Sequence, residues 1–489
     1  SYSVTGVQTC ALPILIIIGA VLRFYNIAEP SLWNDELETL RISSLPDLRT
    51  MLVEGIVPDV HPPAYQLLIH LVIQFIGNSE FAVRFPSAVF GILSIWIVFL
   101  IGKKLYSENV GLIAALLLSV SPTMIYYSQE ARSYSMLLFL SLLSIYLLIL
   151  IIINQASYHK KSFSVVLFYL LTLILLTYTH YFGLFFVFLQ GIFVIILFRK
   201  TKNSLQLFLI IFTIIIIAYF PWYPVLLIHL SIGSIWIKAP GILDIGYLGL
   251  TVFGYSMSFS LASLIIFIFY FLKLKRNDFS ELKTKKPLKL INSDVLLLLW
   301  FFVPTIIVYI WSIISTPVYT PRNLIYIIPA AYLLLAHSIN YIWSKSKTRI
   351  IVVTALFCYA LVHLFFIYNY YSEPYNKYLN IAGFSVLKPY KQQFKEAVEY
   401  ISKMKSTLDS SHIISSSHFP DYFDYYLQKD MINKRVDLNI KKLKDTSNLN
   451  LLINSNQKKF IWILSGHICT RQEFFDIINR NYKLKGHKD

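Results

Sequence analysis

The chain has 489 residues, of which 56% are hydrophobic and only 14% are charged. Soluble domains carry about 25% charged residues, so this composition excludes an ordinary soluble protein. Apolar stretches of about 20 residues recur and indicate a polytopic α-helical membrane protein. The net charge of +17 does not indicate nucleic acid as a partner, because Lys and Arg lie in short loops between apolar runs. Cys10, Cys358 and Cys469 form no disulfide framework.

The first helix is predicted over residues 9–25. The leading SYSVTGVQTCALPI resembles translated sequencing-adapter read-through, and the apolar run that continues over residues 14–25 is too short alone to span a membrane. We therefore expect a genuine helix whose beginning is replaced or truncated. The segment lacks the basic start of a cleavable signal peptide.

A long polar interval follows over residues 31–63 and carries Asp35 and Glu36 near its start. The structural interpretation is that Asn34 caps a short helix with both carboxylates in its first turn. The functional interpretation is that they serve a site. Adjacent side chains on a helix point about 100° apart, so Asp35 and Glu36 would then have different tasks.

The interval ends in Asp59-Val60-His61-Pro62-Pro63. The prolines fix φ and favour a helix start, which leaves His61 as loop polarity or as a side chain aimed into a cavity. Asp59 and His61, with Asp35, are weak metal-ligand candidates, because two loop residues are a poor ligand set.

Residues 64–77 are too few to span a membrane, and Gln66, His70 and Gln74 form one polar stripe, so we predict an interfacial helix. Eleven spans are predicted, over residues 9–25, 84–102, 109–127, 135–153, 163–179, 181–198, 205–222, 246–272, 293–314, 322–343 and 350–369.

The distribution of basic residues sets the predicted orientation. With the first loop outside, the inner loops hold most of the basic charge, including seven Lys and Arg residues within 273–289, whereas the short outer loops hold one each. Basic residues concentrate on the cytoplasmic side, so the first loop and the C-terminus are expected outside.

Polar side chains at predicted outer ends of spans are further candidates. Arg84 either snorkels to the interface or faces a site. Residues 121–134, SPTMIYYSQEARSY, bring Glu130, Arg132 and Tyr134 into one turn. A Glu130–Arg132 ion pair that holds the turn is the alternative to phosphate binding by Arg132, whose guanidinium geometry suits a phosphate.

Two more candidates lie further along the chain. His180 sits in the tight turn THYFG, where helix-end polarity is the alternative to function. Arg322, in TPRN, places positive charge on the side that topology normally leaves poor in basic residues, which favours a phosphate-binding role.

Residues 371–489 are mixed and charged and are long enough for a small domain. We predict a helix over 392–404, a strand over 411–416, a helix over 419–427 and a strand over 460–464. The expected class is therefore an all-α membrane domain over 1–370, with its first external loop at 26–83, followed by a small α/β domain.

The stretches LWNDE, DVHPPAY, RFPSAVFG, SPTMIYYSQEARSYS and THYFG, with PRN as a weaker match, resemble the family 39 type of integral-membrane glycosyltransferases with the GT-C fold. That group includes protein O-mannosyltransferases and the lipid A aminoarabinose transferase. In the tail, FKEAVEYI followed by DYFDYYL looks like the small external domain of bacterial members.

The resemblance implies transfer of a mannose-like hexose or an aminoarabinose-like pentose from a polyprenyl-phosphate donor, with inversion, to a protein, lipid or glycan acceptor. It implies a bacterial cell membrane location with the active site and C-terminus outside, and no required cofactor, a divalent metal being the alternative. Asp35 would be the base that deprotonates the acceptor, and Glu36 would position acceptor or donor sugar. The implied substrate-binding residues are His61, Arg84, Glu130, Arg132, Tyr134, His180 and Arg322.

The alternative class is a lipid-linked sugar flippase or a transporter. Transporters tend to show repeated halves and broken midplane helices. Here the polar residues cluster in outer loops and no repeat is visible, which favours the transferase over a transporter or a noncatalytic scaffold.

The charge asymmetry predicts topology directly. A tag at Asn376 should be reachable from outside the cell, and a tag near Lys283 only from inside, as measured by labelling intact and permeabilised cells. Finding both tags on one side would contradict the eleven-span arrangement.

Overall fold

The computed structural model describes residues 3–155, 162–199, 202–232, 237–276 and 293–343, with short segments between 351 and 465. Its helices are α1 (Ser3–Phe24), α2 (Asn34–Ser43), α3 (Leu48–Thr50), α4 (Ala64–Ile76), α5 (Glu80–Leu105), α6 (Glu108–Ser119), α7 (Pro122–Ser128), α8 (Tyr134–Gln155), α9 (Ser162–Thr179), α10 (Tyr181–Phe198), α11 (Lys202–Tyr219), α12 (Tyr223–Ile232), α13 (Ile242–Val252), α14 (Met257–Arg276), α15 (Ser293–Ile314), α16 (Ile328–Trp343) and α17 (Phe394–Lys403). A π-helical turn covers Met51–Ile56, and 3-10 turns cover Phe220–Trp222 and Ile325–Ile327. The strands are β1 (Tyr378–Ile381), β2 (Phe384–Leu387), β3 (Ser411–Ser416), β4 (Ile440–Lys442) and β5 (Phe460–Ser465).

The chain divides into two compact units, and the division falls inside α2. The first holds Ser1–Ile27 and Thr39–Pro389, and the second holds Ala28–Glu38 and Tyr390–Asp489. The first contains the membrane helices and the antiparallel pair β1–β2.

The second unit contains a parallel sheet in the order β4-β3-β5, with Ser411 opposite Phe460. Within this unit the Leu32 N–H donates to the Tyr426 hydroxyl at 2.6 Å, so the segment 28–38 is bonded to C-terminal residues. β3 and β5 lie where strands are expected, and α17 lies within the expected helix 392–404. Residues 425–427 are helical. Most of the rest of the tail lies outside the described residues, and the small α/β domain stays a prediction.

Six helices in the described part of the chain are long and apolar enough to cross a membrane, or seven if α6 and α7 form one span bent by 62°. The six are Glu80–Leu105, Tyr134–Ile153, Tyr181–Phe198, Asn203–Ile232, Ser293–Ile314 and Ile325–Trp343. The last of them is the central one, with 83% of its apolar window buried, against 28% for α15. The protein is therefore a multi-span membrane protein.

The predicted count of eleven spans is not confirmed, for physical reasons that differ between spans. Predicted span 109–127 bends where Pro122 begins a new helix after the Ser121 cap. Predicted span 246–272 is two helices, because Gly254 and Tyr255 both adopt positive φ, at 68° and 63°. Predicted span 350–369 lies largely outside the described residues.

The polar stripe of α4 is covered in part: Gln74 is exposed, whereas the other two residues face the loop before α4. Gln66 and His70 are buried, and a ring nitrogen of His70 lies 2.9 Å from the Ser43 carbonyl. The exposed side of α4 is apolar, with Phe75 83% exposed. The helix therefore uses its polar face to hold the loop, which sequence periodicity alone does not distinguish from a solvated face.

A buried arginine ties the helices that carry the first loop. Arg23, at the end of α1, has no exposed surface and donates to the carbonyl oxygens of Leu118 and Ser119 at 3.1 and 3.0 Å. These carbonyls end α6, where helical partners are missing, so the guanidinium satisfies them and is satisfied in return. Arg23 Nε also donates to Ser128 Oγ at 3.2 Å, which brings in α7.

Close approach at this point requires a glycine. A Cβ on Gly91 of α5 would overlap the Ser128 hydroxyl and approach Arg23 Nε. Gly91→Ala should therefore lower the free energy of unfolding by about 1–3 kcal/mol, as overpacking does. A melting curve in detergent measures the loss. Gly249→Ala, at a helical site with nothing within 4 Å, is the matched control and should be neutral or stabilising. Equal melting of the two variants would contradict this packing.

Candidate functional site

Arg132 is the centre of a buried polar network in the first unit. It lies in the turn between α7 and α8 and is 5% exposed. Its Nη1 donates to Thr39 Oγ1 of α2 at 3.0 Å, and its Nη2 lies 3.0 Å from His61 Nε2. A guanidinium only donates, so His61 Nε2 accepts this bond and the proton of the neutral ring resides on Nδ1.

Asp59 completes the chain of hydrogen bonds. His61 Nδ1 donates to Asp59 Oδ2 at 3.2 Å, and Gln66 Nε2 of α4 donates to the same oxygen at 3.4 Å. Burial alone would raise the pKa of Asp59. The hydrogen bond from His61, the charge of His61 when protonated and the charge of Arg132 together outweigh burial, so that pKa lies well below its usual range. Asp59 is therefore ionised at neutral pH and orients the imidazole.

Three of the sequence motifs meet at this network through neutral side chains. The Tyr65 hydroxyl from DVHPPAY lies 2.7 Å from Ser87 Oγ from RFPSAVFG. Ser87 Oγ also approaches the Arg132 carbonyl oxygen, at 3.2 Å. All three residues are buried, and their hydrogen bonds join α4, α5 and the α7–α8 turn.

A fourth motif contributes His180, and Tyr134 connects it to Arg322. The His180 ring centroid lies 5.7 Å from that of His61 and 5.9 Å from that of Tyr134. His180 also caps α10, because its Nδ1 accepts the Phe182 N–H at 3.1 Å. The Arg322 guanidinium lies over the Tyr134 ring at 5.8 Å, within the range of a cation–π contact.

Glu130 and Arg84 lie nearby and are both 1% exposed. The Arg132 N–H donates to the Glu130 carbonyl oxygen at 2.8 Å, which closes the turn. Arg84 Nη1 donates to the Ile27 carbonyl oxygen at 2.7 Å, so Arg84 anchors the chain after α1 and does not snorkel to an interface.

Asp35 and Glu36 differ in their surroundings, and both belong to the second unit. Glu36 is fully buried and its Oε2 accepts the Trp33 N–H at 3.2 Å, whereas Asp35 is partly exposed. The Leu37 N–H donates to the Trp33 carbonyl, so Trp33 occupies the cap position. Asn34, the expected cap, is instead the first residue of α2, and the Glu36 carboxylate reaches back to the Trp33 N–H.

Asp59 and His61, the weak metal-ligand candidates, form a pair with each other. Their side chains are 12% and 17% exposed and are bonded to each other. Within the described residues, no three His, Cys, Asp or Glu side chains are grouped to hold a metal ion.

Sequence analysis missed several residues of this region. Tyr65 and Ser87 lie inside quoted motifs, where their hydroxyl groups are the feature that could have marked them as members of the polar network. Thr39 lies outside every quoted motif. Arg23 looked like an ordinary basic residue at the end of a span, and no local pattern marks His229, described below.

The burial of His180 predicts a pH dependence of stability. Burial, then His61, Arg132 and Arg322, lowers the pKa of His180 well below its ordinary value. The unfolded chain binds a proton near pH 6.5 and the folded chain does not, so stability falls as the pH drops below 6.5. Between pH 7 and 5.5 the loss from this group should be about 1 kcal/mol.

Melting curves of wild type and His180→Asn between pH 7 and 5.5 measure this effect. Asparagine retains a cap acceptor for α10 but does not titrate, so the variant should lose less stability than wild type. An identical pH dependence in both proteins would show that His180 is not held neutral in the folded state.

Comparison with known proteins gives a family match and a fold match. Residues 60–225 match the dolichyl-phosphate-mannose-protein mannosyltransferase family. No curated protein sequence is significantly similar to the chain. The structure is similar to that of ArnT from Cupriavidus metallidurans in the apo state, at 11% identity and a TM-score of 0.55, over 94% of this chain and 89% of that one.

Two further structures are similar over a smaller share of their length. One is the archaeal oligosaccharyltransferase AglB from Archaeoglobus fulgidus in complex with an inhibitory peptide and a dolichol-phosphate, at 13% identity and a TM-score of 0.53 over 86% of this chain. The other is ArnT from Cupriavidus metallidurans bound to undecaprenyl phosphate, at 13% identity and a TM-score of 0.49 over 74% of this chain. The chain spans 64% of the length of each. The expected resemblance is confirmed: the chain has the GT-C fold of these glycosyltransferases, and its residues 60–225 match the dolichyl-phosphate-mannose-protein mannosyltransferase family.

Proposed function

We propose that the chain is a glycosyltransferase that moves a sugar from a polyprenyl-phosphate donor to an acceptor at the outer face of the membrane. One observation carries the proposal: Arg132, His61 and His180, from three separate motifs, lie in one cluster within the matched segment 60–225. The family's description names a dolichyl-phosphate sugar donor, and AglB was solved with a dolichol-phosphate.

The cluster has the chemistry to bind a lipid phosphate. Arg132 offers a planar fork of donors that matches phosphate oxygens, and Arg322 adds a second guanidinium at the Tyr134 ring. A phosphate leaves readily once its negative charge is stabilised, so the reaction requires no general acid. A polyisoprenoid tail explains why such an enzyme resides among lipid-facing helices.

The acceptor requires a base, and Asp35 is the proposed one. Asp35 is partly exposed, whereas the buried Glu36 accepts the backbone N–H of Trp33. The family resemblance, through the motif LWNDE, assigns this role to Asp35. A single base with direct displacement at the anomeric carbon inverts that centre, unlike the two carboxylates of a glycosidase.

The finer assignments follow the family resemblance. The sugar is a mannose-like hexose or an aminoarabinose-like pentose, and the acceptor is a protein, a lipid or a glycan. We place the enzyme in a bacterial cell membrane with the site on the outer side, as the basic-residue asymmetry indicates. No metal or cofactor is required in this scheme.

Asp35→Asn tests the base most simply, because the amide keeps the shape and removes the basicity. Turnover should fall by about two to four orders of magnitude while donor binding stays close to wild type. Glu36→Gln should cost less in rate and more in binding. Single-turnover transfer beside a donor-binding assay in purified protein separates these effects.

Asp47→Asn is the matched control. Asp47 is an exposed carboxylate that caps α3 by accepting the N–H groups of Arg49 and Thr50, and asparagine can replace it there. Turnover of Asp35→Asn at the wild-type rate, or failure only through lost donor binding, would rule out Asp35 as the base.

A further inference from the structure

His229 lies on α12, outside the cluster, and contacts two of the segments that build it. The side chain is 6% exposed. Its Nε2 lies 2.9 Å from the Val57 carbonyl oxygen in the first loop, and its Nδ1 lies 2.5 Å from the Tyr181 hydroxyl at the start of α10. One imidazole therefore bridges the first loop and the α9–α10 turn.

The partners of His229 fix its tautomer. A carbonyl oxygen only accepts, so Nε2 carries the proton and donates to Val57. In the neutral ring Nδ1 is then an acceptor, and the Tyr181 hydroxyl donates a hydrogen bond to it. Both ring nitrogens are satisfied, as buried polar groups require.

The bond to Val57 sits immediately before the residues of the cluster. Val57 follows the π-helical turn and donates to the Leu52 carbonyl at 2.9 Å. The Asp59 N–H donates to the Ile56 carbonyl at 3.1 Å. The anchored carbonyl is thus two residues from Asp59 and four from His61.

The bond to Tyr181 reaches the other side of the cluster. Tyr181 directly follows His180, whose ring packs against that of His61. Movement of the Tyr181 side chain would shift the start of α10, which His180 caps. The two hydrogen bonds of His229 therefore reach the chain close to His61 and next to His180, whose rings pack against each other.

Apolar packing beneath the loop leaves this alignment incompletely determined. Ile42, Met51 and Ile56 pack with Tyr219 and Trp222 in one buried cluster. Hydrophobic contacts are not directional, so they hold the loop down without fixing its position along the helices. The directional contacts of His229 supply that position.

We propose that His229 is a positioning residue: it holds the first loop and the α9–α10 turn so that His61 meets both Arg132 and His180. The inference rests on the proposed function only for its activity measurement. It has an independent structural readout in the backbone of residues 57–61.

Two substitutions separate the arms of the imidazole. In His229→Gln the amide nitrogen can reach the position of Nε2 and still donate to Val57. In His229→Asn the amide oxygen can take the place of Nδ1 as acceptor, and the Val57 carbonyl is left without its donor. Ser231→Ala is the matched control on the same helix, because Ser231 is exposed and its hydroxyl donates within its own turn, to the Ile228 carbonyl.

Hydrogen exchange of the full-length purified chain, read by mass spectrometry, tests the proposal. The amides of Val57, Asp59, Val60 and His61 should exchange about tenfold faster in His229→Asn, and within about threefold of wild type in His229→Gln and Ser231→Ala. Exchange of His229→Asn at the wild-type rate would overturn the proposal. If His229→Asn does not fold, His229→Gln decides: protection of residues 57–61 supports the anchor, and its loss in a folded protein overturns it.

Donor kinetics provide the second readout. His229→Asn should raise the KM for the lipid-linked donor about tenfold with a smaller change in kcat, and His229→Gln should restore most of it. In a double-mutant cycle with His61→Ala, the effects on kcat/KM should be less than additive, because His229 acts through His61. Additive effects would overturn the positioning role. Wild-type protein that transfers no sugar would contradict the proposed function alone, and the exchange result would still decide the role of His229.

Discussion

The hydrogen bond from Arg132 to His61 is the interaction on which the site depends. A guanidinium that is 5% exposed needs partners for its donors, since an unsatisfied buried charge is strongly unfavourable. Arg132 finds them in His61, held by Asp59, and in Thr39 of α2. Thr39 lies on α2 and His61 follows the π-helical turn, so satisfying this one cation requires α2, residues 59–61 and the α7–α8 turn to assemble together.

The surrounding structure repeats this principle. Arg23 donates to carbonyl oxygens at the end of α6. Arg84 donates to the Ile27 carbonyl oxygen, and His229 donates to the Val57 carbonyl oxygen. Each is a long or planar donor that reaches backbone oxygens left without helical partners. In a membrane protein such oxygens lack water, so side chains must supply the bonds. The first loop is therefore bonded at Ile27 and at Val57 to side chains of α5 and α12.

Sequence reasoning predicted the membrane class, the motifs and the GT-C resemblance, because these depend on apolar length and on short local patterns. It did not predict the breaks within residues 109–127 and 246–272, since a helix broken at Ser121 or at Tyr255 retains the composition of a continuous one. It predicted an interfacial helix from the stripe of α4 but not the burial of Gln66 and His70, because periodicity shows that a polar face exists and not what covers it. His229 could not be found, because its partner at Val57 is a backbone carbonyl, which no side-chain pattern records.

The central claim, that Arg132 receives the phosphate of a lipid-linked donor, can be measured directly. Arg132→Lys keeps the charge but loses the fork that meets Thr39 and His61 together. Binding of a polyprenyl phosphate to purified protein in nanodiscs should weaken about tenfold or more in Arg132→Lys, and should be unchanged in Arg49→Lys, an exposed position on α3. Equal affinity of wild type and Arg132→Lys for the lipid phosphate would contradict the account.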